Sequence, residues 1–164
     1  MSESDGKRTD SKPRGSSVPW YADGLRFECQ KCGRCCRGEP GVVWVSKAEI
    51  EKISAHLGIS PGEFRTKYVR RVGFRLSLKE LDNGDCVLYQ NGCVVYPVRP
   101  AQCRTFPFWS EALRSREWYD EVLENCPGKG KGRLYSREEI EEILRGGSAA
   151  EGDDGDGRLG RRQG

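Results

Sequence analysis

Phe27-Glu-Cys-Gln-Lys-Cys-Gly-Arg-Cys-Cys-Arg-Gly38 places Cys29, Cys32, Cys35 and Cys36 within eight residues. Thiolates are soft ligands, and two-residue gaps let a tight loop turn several sulfurs onto one centre. That chemistry suits zinc, iron or an iron–sulfur cluster. Gly33 and Gly38 give the loop a permissive backbone. Its amides can donate to sulfur, and Lys31, Arg34 and Arg37 can offset the charge of gathered thiolates. Cys35 and Cys36 are neighbours, and adjacent side chains diverge in extended backbone. One is therefore expected to face Cys29 and Cys32, and the other a different group of ligands.

Working outward, the remaining cysteines are Cys86, Cys93, Cys103 and Cys126, so the full pattern is C-x2-C-x2-C-C, C-x6-C-x9-C-R and C-P-G. Eight thiols allow two four-ligand sites, a shared binuclear site, or one site with spare cysteines. Disulfides are the alternative use of cysteine. They belong to oxidising compartments, whereas the polar N-terminus carries no apolar secretory stretch, so a cytoplasmic location with reduced thiols is expected. His56, the only histidine, is expected on the polar flank of a helix and in solvent rather than on a metal.

Residues 1–19 and 147–164 are rich in glycine, serine and charge, and are expected to be disordered tails. The domain between them, residues 20–146, is expected to hold the metal. Val42 to Val45 read as a short buried strand. Ser46 with Glu49 opens a helix whose Ile50, Ile53 and Leu57 share a face and whose stop is Gly58. Ser60, Pro61 and Glu63 start a second helix bearing Phe64 and Tyr68. Alternation over Val72, Phe74, Leu76 and Leu78 predicts one half-buried strand. Asn83-Gly84 and Asn91-Gly92 signal turns of a small meander with Cys86 and Cys93 at the starts of its last two strands.

Pro100 begins a short helical turn presenting Cys103 and Arg104, and Pro107 limits its length. Phe106, Phe108 and Trp109 are expected to pack over the cysteines. The segment from Leu113 to Leu123 suits a strand or a helix. The run GKGKG lacks P-loop spacing and reads as a flexible connector. Ser136 and Glu139 cap a last helix with Ile140, Ile143 and Leu144 inward. The fold class is therefore α+β, with a small antiparallel sheet and three to four helices around a cysteine-rich metal site joining the two ends of the chain.

These motifs resemble a known family, the YkgJ-type cysteine-cluster proteins, named for C-x-x-C-x-x-C-C and described as zinc- or iron-chelating domains. The resemblance rests on F-x-C-x-x-C-G-x-C-C at Phe27 to Cys36, on G-D-C-V-L-Y through C-V-V-Y-P-V-R-P-A-Q-C-R-T-F-P-F from Gly84 to Phe108, and on Cys126 before a glycine-rich patch. It implies metal binding. A related domain in flagellin lysine N-methylases implies an iron–sulfur centre, although this chain is too short to hold a separate methyltransferase domain.

The expected function is chelation of iron, as an ion or an iron–sulfur cluster, or of zinc. Redox or group-transfer chemistry at a cluster is one extension, and a structural or metal-handling zinc module is the alternative. No Ser/His/Asp set, H-E-x-x-H or dinucleotide fingerprint supports hydrolysis or nicotinamide chemistry. Arg99 and Arg104 are candidates for charge compensation or for holding an anionic substrate. Partners are expected to be a metal ion or cluster and an unidentified protein or small substrate. The net charge of +3 and the lack of a basic stripe argue against nucleic acid. No apolar run is long enough to span a membrane.

Overall fold

The computed structural model describes residues 18–38 and 41–149. The expected tails therefore fall outside the described residues, apart from residues 18–19 and 147–149. Among the described residues five α-helices and two antiparallel two-stranded sheets make an α+β architecture, one helix more than expected. No helix there is long and apolar enough to cross a membrane.

The first sheet joins the two ends of the described chain. β1 (Leu25–Phe27) pairs with β4 (Lys129–Tyr135), Leu25 opposite Tyr135 and Arg26 opposite Leu134, with an irregular register before Phe27. The GKGKG run is thus a strand and not the flexible connector expected from its composition. Gly128 and Gly132 are needed because two backbones approach closely there. A Cβ at Gly132 would lie 2.5 Å from the Glu28 Cβ, and one at Gly128 would overlap the Glu28 carbonyl oxygen.

α1 (Lys47–Leu57) begins with the expected capping box. The Ser46 amide donates to the Glu49 carboxylate at 2.8 Å, and the Glu49 amide donates to Ser46 Oγ at 3.3 Å. Gly58, at φ 69°, closes it in the left-handed conformation. α2 (Pro61–Tyr68) has proline in its first turn and Ser60 accepting from the Glu63 amide at 3.1 Å. Ile50, Ile53 and Phe64 are buried between these helices and the second sheet.

That sheet corrects the single strand expected from Val72 to Leu78. The segment is the turn and second arm of a hairpin, β2 (Val69–Val72) against β3 (Arg75–Leu78). Gly73, at φ 59°, takes the first loop position, where hairpin turns favour glycine, and Phe74 projects into solvent with 92% of its surface exposed. Alternation of apolar residues survived the turn and disguised it. Val42 to Val45 runs beside β3, Val45 donating to Leu76 at 3.0 Å and Leu78 to Val43 at 2.9 Å. Only Trp44 forms a bridge, to Ser77, so the expected strand is reduced to an extended edge.

The expected meander is likewise corrected to a series of tight turns held by two isolated bridges, Glu80 with Cys86 and Tyr89 with Cys93, ending in a 3-10 turn at Tyr96–Val98. The loops are too closely spaced for ladders to grow between them. α3 (Ala101–Thr105) follows Pro100 as expected. The undecided segment near Trp118 is helical, α4 (Arg116–Val122), capped by Ser115 Oγ accepting from the Trp118 amide at 3.2 Å. α5 (Arg137–Ala149) starts at the Ser136–Glu139 box.

Two hydrophobic clusters result. One gathers Val45, Ile50, Ile53, Phe64, Val69, Leu78, Leu88 and Val95. The other gathers Phe27, Phe108, Leu113, Tyr119, Leu123 and Ile140.

Candidate metal centre

A single cavity of about 1720 Å³ lies between these clusters, and its wall includes all eight cysteines. All eight are free thiols. Cys86 and Cys93 pack on the first cluster and Cys126 on the second, so the thiols span the seam between two half-cores.

Each cysteine is delivered by a local device. β1 feeds the exposed loop that carries Cys29 and Cys32. Gly33, at φ 74°, then opens a 3-10 turn over Arg34–Cys36. A side chain at Gly33 would meet the Tyr89 ring at 2.5 Å, so only glycine lets the loop settle on that ring. The Cys86 amide donates to the Cys36 carbonyl at 2.7 Å, docking the second motif on the first. α3 presents Cys103. Cys126 follows α4 with its amide bonded to the Leu123 carbonyl at 3.0 Å.

Cys35 and Cys36 do not diverge as expected, and their sulfurs lie 4.0 Å apart. The 3-10 turn is the reason, since the alternation of neighbours belongs to extended backbone. The hydrogen bond from Cys36, assisted by Arg99, lowers the Cys35 thiol to about 7, although partial desolvation of this exposed residue opposes the shift. The same contact and burial push Cys36 far up. Burial raises Cys103 to about 12 and also raises Cys86, Cys93 and Cys126. Cys35 interacts electrostatically with Cys36, Cys86, Cys93, Cys103 and Cys126, which makes it the hub of the group.

Arg99 faces Cys35, Cys93 and Cys103, and its charge favours their thiolate forms. Arg104 also lines the cavity, and its Nη1 donates to the Arg99 carbonyl at 2.7 Å. Phe106, Phe108 and Trp109 stand on the same wall, Phe106 meeting Trp109 edge-on at 5.1 Å between ring centres. His56 is exposed on α1 and is not part of the wall.

Two residues were not singled out from the sequence. The Tyr96 ring takes Arg99 and Lys31 against it, and the Tyr89 ring backs Gly33. A signal existed, because each tyrosine stands three residues beyond a cysteine in Cys-Val-Leu-Tyr89 and Cys-Val-Val-Tyr96.

Among the described residues no three Cys, His, Asp or Glu side chains stand in a finished metal-holding arrangement. The donor set nonetheless fits a thiophilic metal, since soft sulfur ligands converge on one cavity with a cation among them. A second observation agrees. The Tyr119 hydroxyl is buried without a partner, and Cys126 is the thiol it interacts with electrostatically. A buried hydroxyl without a partner can donate to a thiol within reach if that thiol becomes a metal-bound thiolate.

Comparison with known proteins agrees with this chemistry. The family described as "CxxCxxCC: Putative zinc- or iron-chelating domain" matches residues 28–127, which takes in every cysteine. An uncharacterized protein of Methanocaldococcus jannaschii is 35% identical over 92 residues, or 54% of this chain and 48% of that protein. The chain thus spans about half the length of the curated relative it matches. No solved structure matches.

Proposed function

This chain belongs to the CxxCxxCC family of zinc- or iron-chelating domains, and from that premise we propose that it binds iron through clustered thiolates, as an iron–sulfur cluster in preference to zinc. The observation that carries the reading is the single cavity walled by all eight cysteines, with the only histidine outside it. One zinc ion needs four ligands, and mixed sites commonly include histidine. Eight thiols in a cavity of about 1720 Å³ offer more sulfur and more room than one ion needs. Phe106, Phe108 and Trp109 supply the dry wall that protects a cluster and tunes its potential.

The ligands in this reading are drawn from Cys29, Cys32, Cys35, Cys36, Cys86, Cys93, Cys103 and Cys126, in the reducing cytoplasm. A bound cluster would supply electron transfer or assist group transfer. The protein's own part is to position the thiols, limit water and place Arg99 against their charge.

The deciding experiment is anaerobic purification from iron-replete cells. Brown protein containing iron and acid-labile sulfide, with visible bands that bleach on reduction, is the expected result. Colourless protein with stoichiometric zinc and no sulfide would replace this reading with a structural or metal-handling zinc domain.

A further inference from the structure

We propose that Arg99 and Lys31, each stacked against the ring of Tyr96, form a binding site for a small oxyanion, a carboxylate or a phosphate, inside the cysteine cavity. The Arg99 guanidinium carbon lies 3.9 Å from the centre of the Tyr96 ring, and Lys31 Nζ lies 4.7 Å from the same centre. All three residues line the cavity. Each cation is attracted to the ring, but two like charges sharing one ring repel each other. An oxyanion within reach of both cations offsets that repulsion and accepts hydrogen bonds from each.

On the same wall Arg37 is paired with Asp85 at 3.5 Å and Arg133 with Glu139 at 2.6 Å. Among the described residues, neither Lys31 nor Arg99 makes an ion pair with a carboxylate. No carboxylate takes up either charge, and the thiols that Arg99 faces are its neighbours in the cavity.

Arg99 is also held ready. Its Nη1 donates to the Tyr96 carbonyl at 2.8 Å, and Arg104 grips its own carbonyl at 2.7 Å. A guanidinium already ordered loses little freedom on binding. Because Arg99 also faces Cys35, Cys93 and Cys103, the oxyanion sits next to the thiols. Small-molecule pockets hold roughly 300–1000 Å³, so there is space for an organic acid and a metal together.

The inference rests on the proposed metal only for the anion's neighbour. Anion binding is read by heat and metal by elemental analysis, so either can fail without the other. Protein as purified, with its metal content measured, is titrated calorimetrically with succinate and with inorganic phosphate, against sodium chloride at matched ionic strength. Saturable one-site binding is expected, and the better of the two anions identifies the chemical source.

Arg99→Gln and Lys31→Gln should each weaken binding roughly ten- to hundredfold, the loss of one charge-assisted hydrogen bond. Arg99→Lys should recover part of it, and Arg71→Gln on the hairpin should change nothing. Lys31 is exposed, so its variant folds whatever becomes of Arg99. Heats no larger than those of chloride, or unchanged affinity in both variants, would overturn the proposal. So would Arg99→Gln losing metal while anion affinity stays intact, because Arg99 would then serve only to balance thiolate charge.

Discussion

Glu49 accepts a hydrogen bond on Oε1 from the backbone N–H of Ala101, 52 residues away, at 2.6 Å, while its Oε2 closes the capping box on the Ser46 amide at 2.8 Å. One carboxylate therefore caps two helices. α3 has no side-chain cap of its own, since Pro100 precedes it, and it carries Cys103 and Arg104. Glu49 thus ties the start of α1 to the element that delivers a thiol to the cavity.

Glu49→Ala should accordingly cost about 2–4 kcal/mol in urea unfolding, the sum of a lost cap and a charge-assisted bond to a half-buried amide. Ser46→Ala, which removes only the local cap, should cost about 1 kcal/mol. Equal losses in the two variants would show that the bond to Ala101 contributes nothing.

The glycines of β4 should separate in the same assay. Gly130 and Gly132 have φ of 73° and 71°, but a Cβ at Gly130 meets open space whereas one at Gly132 strikes Glu28. Gly130→Ala should cost about 1–2 kcal/mol from left-handed backbone alone. Gly132→Ala should cost more, because β1 must also move away. A smaller loss at Gly132 than at Gly130 would mean that β1 yields freely.

Cysteines delivered by separate elements should both matter to metal content. Cys103→Ser and Cys126→Ser are expected to lower the metal bound per chain and the melting temperature of the loaded protein. Metal-free wild type and variants should melt close together. A structural metal contributes on the order of 10–16 kcal/mol in small peptides, more than most domains' entire stability. Full loading and unchanged melting in both variants would remove these residues from the site.

Tyr119 offers a test with opposite signs in the two states. Its buried hydroxyl has no partner without metal, so Tyr119→Phe should leave the metal-free protein as stable as before or stabilise it by about 1 kcal/mol. In the loaded protein the same change should weaken metal retention against a chelator, because Cys126 loses its nearby donor. A substantial loss of stability without metal would show that the hydroxyl is already satisfied.

Much of this could be read along the chain because its causes are local. Ser46 with Glu49, Ser60 with Glu63 and Ser136 with Glu139 each satisfy helix amides within four residues, and all three helices begin where those pairs stand. The cysteine spacing named the ligand chemistry and the family. It could do so because sulfur's affinity for soft metals does not depend on the fold around it.

What the sequence left open depends on contacts between distant residues. Glycines that read as a flexible connector became β4 because β1, a hundred residues earlier in sequence, lies against them. The hairpin at Gly73 was hidden because apolar alternation carries no mark of a reversal when the turn residue Phe74 is itself apolar. The nearness of Cys35 and Cys36 required the 3-10 turn opened by Gly33. The gathering of all eight thiols on one cavity depends on two hydrophobic clusters that leave a seam between them. Sequence by itself determined which atoms could bind the metal. Only tertiary packing decided that they face one another, because burial of apolar side chains, and not any property of cysteine, sets where the half-cores meet.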